Sequence, residues 1–145
     1  MTTRLATSRD KKQIFKLVDE FSVLLGAKDI PSKVGGVVFD EIINRNDIKI
    51  FVAEESNELI GVATFYLLPD IRHGWHRGHI ENFFVTKNMR DQGAGTAIFE
   101  AIKDYCRKNN IKVIKLASGN ELASAHKFYE ENGGKTTERF FRFDI

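Results

Sequence analysis

A glycine-containing loop between an apolar run and a helical pattern limits the possible folds of this chain more than any other feature. Residues 80–85 are rich in aromatic and β-branched side chains, which predicts a strand. Apolar residues then recur at helical spacing over residues 98–111, which predicts a helix. The loop between them reads Arg90-Asp91-Gln92-Gly93-Ala94-Gly95-Thr96.

A strand, a glycine loop and a helix N-terminus together form a place that can hold a phosphate. The free N–H groups and the positive end of the helix dipole favour an anion, and Arg90 adds a positive charge. Two known nucleotide loops do not match. A P-loop needs Lys and then Ser or Thr after its last glycine, but Thr96 follows Gly95. A Rossmann fingerprint needs a small residue where this chain has Ile98.

Composition predicts one domain over residues 1–145 and excludes several function classes. A net charge of +2 is too small to indicate nucleic-acid binding. No stretch approaches the length that spans a membrane, and no N-terminal apolar segment resembles a signal peptide. The single cysteine, Cys106, suits a reducing compartment and is expected to be buried. We therefore expect a cytoplasmic protein with neither nucleic-acid nor membrane partners.

The order of predicted elements indicates an α/β fold with a mixed sheet covered by helices. We predict an edge strand at 3–6, a helix from Ser8 to Gly26, and a break at 29–32. A helix at 34–44 is weakened by its glycine pair. Further predictions are a hairpin of strands 48–54 and 59–68, a polar loop at 70–78, a strand at 111–116, a helix at 121–132 and a final strand at 140–143.

The pattern Arg-x-x-Gly-x-Gly resembles the pyrophosphate loop of the GNAT superfamily of acetyl-CoA-dependent N-acetyltransferases. A second motif, Ala123-Ser124-Ala125-His126-Lys127-Phe128-Tyr129-Glu130-Glu131-Asn132-Gly133, resembles the last helix of that family. The resemblance covers essentially the whole chain. It implies a mixed sheet of six to seven strands flanked by about four helices.

The chain departs from the family pattern at three positions. Gly134 stands where the family commonly has an aromatic residue. Asn120 lies nine residues before Tyr129 instead of about seven, which puts the role of Asn120 in doubt. Asp91 places a negative charge in the loop, so its side chain must point to solvent.

The resemblance implies that acetyl-CoA is the donor substrate. The N–H groups of residues 92–96 would hold its pyrophosphate with Arg90. The pantetheine arm would run along residues 83–85, beside a bulge that frees backbone groups, and a backbone N–H near Phe84 or Val85 would stabilise the oxyanion. The implied cofactor-binding residues are Phe83, Phe84, Val85, Arg90, Asp91, Gln92, Gly93, Ala94, Gly95, Thr96, Asn120, Phe128 and Tyr129.

Three residues are candidates for proton transfer. Tyr129 resembles the family's general acid, which protonates the leaving thiolate; the alternative is a core aromatic with a solvated hydroxyl. His79 and Glu81 lie two apart on a strand, so their side chains share a face. Family members often place a base at this point of the strand, acting directly or through water. The alternative is a solvated histidine beside a surface glutamate.

The histidines at 73, 76 and 79 suggest a metal site, but they lie around a glycine-containing loop with no cysteine nearby. We therefore predict no metal. We expect Arg72, His73, Trp75 and His76 to line the mouth through which the acceptor enters.

The predicted function is acetyl transfer to a primary amine of a small molecule. The chain is similar to aminoalkylphosphonate N-acetyltransferases, which implies an anionic acceptor with Arg72 or Arg77 as its counter-charge. Two alternatives stay open: a protein or peptide acetyltransferase, and a non-catalytic acetyl-CoA-binding module. The apolar end of the chain is compatible with a homodimer paired through a sheet edge and equally with simple burial.

Overall fold

A computed structural model describes residues 1–28 and 30–145. Asp29, part of the predicted chain break, lies outside the described residues. The chain divides into two compact units, residues 1–115 and residues 116–145.

The first unit contains most of the helices and strands. These are β1 (Thr2–Leu5), α1 (Lys11–Leu24), α2 (Pro31–Val34), α3 (Gly36–Ile42), β2 (Ile48–Glu55), β3 (Glu58–Asp70), β4 (Trp75–Val85) and α4 (Ala94–Lys108). Single 3-10 turns precede α1 at Ser8–Asp10 and follow β4 at Lys87–Met89. β5 (Ile114–Leu116) lies at the boundary of the two units, and α5 (Ala123–Glu131) belongs to the second.

The strands form one sheet in the order β1-β2-β3-β4-β5, and the first three pairs are antiparallel. Beside β4, the N–H of Gly78 donates to the carbonyl of Val113 at 2.9 Å. The predicted mixed α/β fold is confirmed, but the described sheet has five strands instead of six or seven. The strand predicted at 140–143 is absent from the described chain, and three of its side chains, Phe140, Phe141 and Phe143, are exposed. Aromatic residues favour a strand only where a neighbouring strand pairs with them.

Two further predictions need correction. The polar loop predicted at 70–78 is wrong, because β3 and β4 extend as a long hairpin joined by a turn at 71–74. Gly74 supports this turn with a φ of +67°. The helix predicted at 34–44 is the shorter α3, Gly36–Ile42. A separate short helix, α2, begins at Pro31 inside the predicted break, and the two helices meet at Gly35. A Cβ at Gly35 would lie 2.9 Å from the ring of Phe15, so the glycine allows α1 to approach closely.

The sheet of the first unit is covered by helices on both faces. On one face, α1 and α3 contribute to a core of Ile14, Leu17, Phe39, Ile50, Val52, Leu59, Val62 and Phe84. On the other face, α4 buries Ile98 and Ile102 completely, and Tyr105 makes edge-on contacts with Phe51 and Phe65. Within the described residues, no helix combines the length and apolar character needed to cross a membrane.

Candidate active site

A β-bulge interrupts β4 near its end. Val62 pairs with Phe84 and Thr64 with Glu81, so Asn82 and Phe83 together face the single residue Ala63. Asn82 has a φ of +51°, in the left-handed region that asparagine tolerates better than most residues. A bulge of this kind disrupts the ladder locally and bends the strand. The bulge that the family resemblance implied is therefore present, and its second residue, Phe83, is the first of residues 83–85.

The loop after β4 leads the chain into the N-terminus of α4. Asp91 has a φ of +59° and Gly93 of +84°, and α4 begins at Ala94 without a side-chain cap. The helix ladder includes a bond from the N–H of Ala97 to the carbonyl of Gly93, at 2.9 Å. The N–H groups of Ala94, Gly95 and Thr96 therefore have no carbonyl four residues back within the helix. Such groups favour an anion.

Two contacts determine the position of Arg90. Its Nε donates to the carbonyl of Val85 at 3.1 Å, and its guanidinium lies 5.4 Å from the ring centre of Phe84. The hydrogen bond uses only Nε, so the Nη groups can bind a further anion. Asp91 is exposed, as the charge argument requires, and Gln92 donates to the carbonyl of Asn88 at 2.8 Å.

His79 and Glu81 contact each other on one face of β4. Nε2 of His79 and Oε1 of Glu81 are 3.0 Å apart, and the side chains are 22% and 50% exposed. The expected shared face is confirmed, while the catalytic role of the pair stays a prediction. Tyr66 of β3 is directly opposite His79 in the register. Burial raises the pKa of Tyr66, and the nearby negative charge of Glu81 raises it further.

The predicted acceptor residues lie at the turn end of the hairpin, where the ring centres of His73 and Trp75 are 5.0 Å apart. His73 lies in the turn, 3.1 Å from Asp70 and 3.2 Å from Arg72, and its hydrogen bond lowers the pKa of Asp70. Trp75 shares the face of Glu81, but six residues of strand put it about 20 Å away. His76 is exposed and on the opposite face, by strand alternation.

The hairpin geometry therefore does not assemble the histidines. Arg72, His73 and His76 do not join the pair formed by His79 and Glu81. No group of three or more His, Cys, Asp or Glu side chains suited to a metal ion was found in the described part of the chain. Arg77, two residues from His79 on the same face, lies only about 7 Å away along the strand.

Sequence reasoning missed Tyr66 and Glu20. Glu20 of α1 accepts hydrogen bonds from the Oγ1 of Thr86 at 2.8 Å and from the N–H of Lys87 at 3.0 Å. Neither residue belongs to a local motif, and Glu20 is separated from Thr86 by 66 positions. Only the register of β3 against β4 could have indicated that Tyr66 is a neighbour of His79, because the residues that face each other across two strands follow from how the strands pair.

In the second unit, α5 carries Tyr129. Its ring centre lies 5.5 Å from that of Phe128, and burial raises its pKa, so the phenol is protonated at neutral pH. Asn120 is exposed and lies before the helix begins. At the helix end, the N–H of Gly134 donates to the carbonyl of Tyr129 at 2.8 Å. A Cβ at Gly134 would also lie 2.8 Å from that oxygen, so this close approach needs a residue without a side chain.

Cys106 has no place in this chemistry. It is buried on α4, as expected, and burial raises the pKa of its thiol to about 11. The reactive thiolate is therefore scarce at neutral pH.

Comparisons with known proteins identify the family of this chain. The sequence model of the acetyltransferase (GNAT) family matches residues 16–134. The chain is also similar to the uncharacterized N-acetyltransferase YhfO of Bacillus subtilis (strain 168). The two are 30% identical over 103 residues, which are 70% of this chain and 68% of YhfO.

Solved structures share the fold at low sequence identity. An aminoglycoside acetyltransferase from an uncultured soil metagenomic sample, in complex with sisomicin, aligns with a TM-score of 0.82 at 19% identity, covering 99% of this chain and 94% of that one. Ribosomal-protein-alanine N-acetyltransferase of Brucella melitensis biovar Abortus 2308 aligns with a TM-score of 0.83 at 17% identity, and the alignment covers 99% of this chain and 97% of that one. A predicted acetyltransferase of Clostridium acetobutylicum, solved with acetyl-CoA, aligns with a TM-score of 0.82 at 18% identity. This alignment covers 99% of this chain and 95% of that one. The chain thus belongs to the acetyltransferase (GNAT) family and is an acyltransferase.

Proposed function

We propose that this protein moves an acetyl group from acetyl-CoA to a primary amine of a small molecule. The observation that carries the proposal is the His79–Glu81 pair on β4, the strand that ends in the Arg90 loop. One strand thus presents a candidate base and leads directly to an anion-binding helix N-terminus. The proposal combines these two functions in a single acyl transfer.

On the donor side, the residues fit the pyrophosphate of coenzyme A. The N–H groups at the start of α4 and the Nη groups of Arg90 are hydrogen-bond donors for its oxygens. The bulge at Asn82 and Phe83 bends the end of β4, the strand along which we place the amides of the pantetheine arm. Holding the thioester in this way makes the later attack effectively unimolecular.

On the acceptor side, the amine must lose a proton before it can attack. We assign that proton to the His79–Glu81 pair, directly or through water. The nitrogen then forms a bond to the thioester carbon, and a tetrahedral intermediate places negative charge on the carbonyl oxygen. A backbone N–H near Phe84 or Val85 stabilises this oxygen. The carbon–sulfur bond breaks as the nitrogen loses its second proton to solvent and the proton of Tyr129 goes to the leaving thiolate. Tyr129 then regains a proton from solvent.

The acceptor that fits this strand is an amine with an anionic group. Arg77 follows His79 along the same face, about 7 Å away, so it can bind an anion while the amine contacts the base pair. Arg72 belongs to the distant turn, which favours Arg77 as the counter-charge. An aminoglycoside acetyltransferase and a ribosomal-protein-alanine N-acetyltransferase share this fold, so the fold alone does not identify the acceptor. The acceptor proposal therefore rests on the side chains of β4.

Thermal unfolding with and without acetyl-CoA tests the donor half. A ligand at about a hundred times its Kd stabilises the folded state by about 2.7 kcal/mol. We expect acetyl-CoA to raise the melting temperature of the wild type and to raise that of Arg90→Gln by less. Arg72→Gln is the matched control and should behave like the wild type. The absence of a shift at saturating acetyl-CoA would contradict donor binding.

Release of free thiol tests the acceptor half. Phosphonate- and phosphate-bearing amines should react faster than neutral amines of equal length, and Arg77→Gln should remove this preference. Faster acetylation of peptides would instead support a protein acetyltransferase. Binding of acetyl-CoA without turnover on any amine or peptide would indicate a binding module.

A further inference from the structure

The second half of α1 contacts the segment that joins β4 to the glycine loop. The two carboxylate oxygens of Glu20 accept separate hydrogen bonds, one from the Oγ1 of Thr86 at 2.8 Å and one from the N–H of Lys87 at 3.0 Å. A charged acceptor makes such bonds roughly twice as strong as neutral ones. Glu20 therefore fixes the backbone at the point where the chain leaves the sheet.

The next residue of α1 packs on the end of β4, the strand that leads into the same loop. The ring of Phe21 stacks on that of Phe84 at 5.1 Å with an interplanar angle of 29°. The guanidinium of Arg90 lies over the same Phe84 ring, at 5.4 Å. Consecutive residues of α1 thus contact the start of the loop and the ring beneath its arginine.

The proposed use of this loop requires it to be ordered before the donor binds. Its backbone is left-handed at both Asp91 and Gly93, and an unsupported loop would lose conformational entropy on binding. Contacts that order a binding loop in advance improve affinity by reducing this loss. Glu20 and Phe21 supply such contacts from an element that is remote in sequence.

We propose that Glu20 is a positioning residue for donor binding. Through Thr86 and Lys87 it holds the segment that directs Arg90 and the start of α4 toward the pyrophosphate of acetyl-CoA. In this proposal Glu20 acts through Thr86 and Lys87 and not by direct contact with the donor or the acceptor. The inference rests on the proposed function, because it assumes that this loop binds coenzyme A.

Kinetics of two Glu20 variants test the proposal. Removing two hydrogen bonds by Glu20→Ala should raise the KM for acetyl-CoA about tenfold, with kcat and the KM for the amine changed less than about twofold. Glu20→Gln should recover most of the affinity, because its amide can accept from Lys87 and donate to Thr86. Glu41→Ala, an exposed carboxylate on α3, is the matched control and should match the wild type.

A double-mutant cycle on coenzyme A binding isolates the contact. Thr86→Val should weaken binding on its own, but should add little to Glu20→Ala, since both changes remove the same hydrogen bond. Fully additive effects, or unchanged binding in Glu20→Ala, would overturn the inference while the proposed function stands. A wild type that does not bind coenzyme A would contradict the proposed function and the inference with it.

Discussion

The imidazole of His79 and the carboxylate of Glu81 lie 3.0 Å apart, two positions apart on a strand that continues into the Arg90 loop. Strand alternation puts them on one face, and pairing places Tyr66 opposite His79. The candidate base is therefore part of the sheet and not of a mobile loop. A site on a strand holds its side chains in a defined geometry.

Loss of either member of this pair should lower the rate of acetyl transfer. We expect His79→Gln and Glu81→Gln each to reduce kcat by about 10²-fold, the lower end of the usual contribution of a general base. Binding of acetyl-CoA should be unchanged, because neither residue belongs to the loop. His76→Gln, on the opposite face of β4, is the control. A kcat equal to that of the wild type in both variants would contradict the assignment.

Replacing the phenol of Tyr129 should slow the departure of the thiolate. We expect Tyr129→Phe to lower kcat by about 10²-fold while coenzyme A still binds. Burial raises the pKa of Tyr129, so its ionisation should lower activity only at a higher pH than for an ordinary tyrosine. Tyr105→Phe provides a comparison, since Tyr105 on α4 packs against the core rings of Phe51 on β2 and Phe65 on β3. Full activity of Tyr129→Phe would contradict the assignment of Tyr129 as the general acid and support a packing role for its ring.

The ion pair of Arg4 and Asp10 should make folding stability depend on pH. Arg4 binds both carboxylate oxygens of Asp10, at 2.8 and 2.9 Å, and lowers the pKa of Asp10 to about 2. A lowered pKa stabilises the fold above the unfolded value of about 3.9, and this contribution disappears as the pH falls toward 2. Asp10→Asn should therefore cost about 1–2 kcal/mol of unfolding free energy at pH 7 and much less near pH 2.

Urea unfolding at several pH values checks this expectation. Asp40→Asn serves as the control, because the Lys11–Asp40 pair is solvent-exposed and such pairs contribute at most about 1 kcal/mol. A difference between wild type and Asp10→Asn that stays constant from pH 7 to pH 2 would show that the lowered pKa does not stabilise the fold.

Gly78 should not tolerate a side chain. A Cβ at this position of β4 would overlap the ring of Phe65, which is completely buried and cannot move away. Overpacking of this kind typically costs about 1–3 kcal/mol, so Gly78→Ala should lower the melting temperature. Gly36→Ala is the matched control, because its Cβ would meet only the flexible Lys11 amine at 3.6 Å. Equal melting temperatures for the two variants would contradict the packing argument.

The sequence by itself determined the features that depend on neighbouring residues. Alternation predicted that His79 and Glu81 share a face, and the strand, glycine loop and helix around Arg90 were found in the predicted order. Gly93, just before α4, and Gly133, just after α5, both have positive φ values. These features are local, because the side-chain periodicity of a strand or helix and the φ and ψ preferences of a residue depend only on nearby residues.

Only the tertiary structure decided the features that need a distant partner. The length of the β3–β4 hairpin, the break at Gly35 and the absence of a strand at 140–143 depend on which segments pair or pack together. The contact of Glu20 with Thr86 joins residues 66 positions apart. Strand pairing and long-range hydrogen bonds are fixed by the folded geometry, so no short sequence pattern can encode them alone.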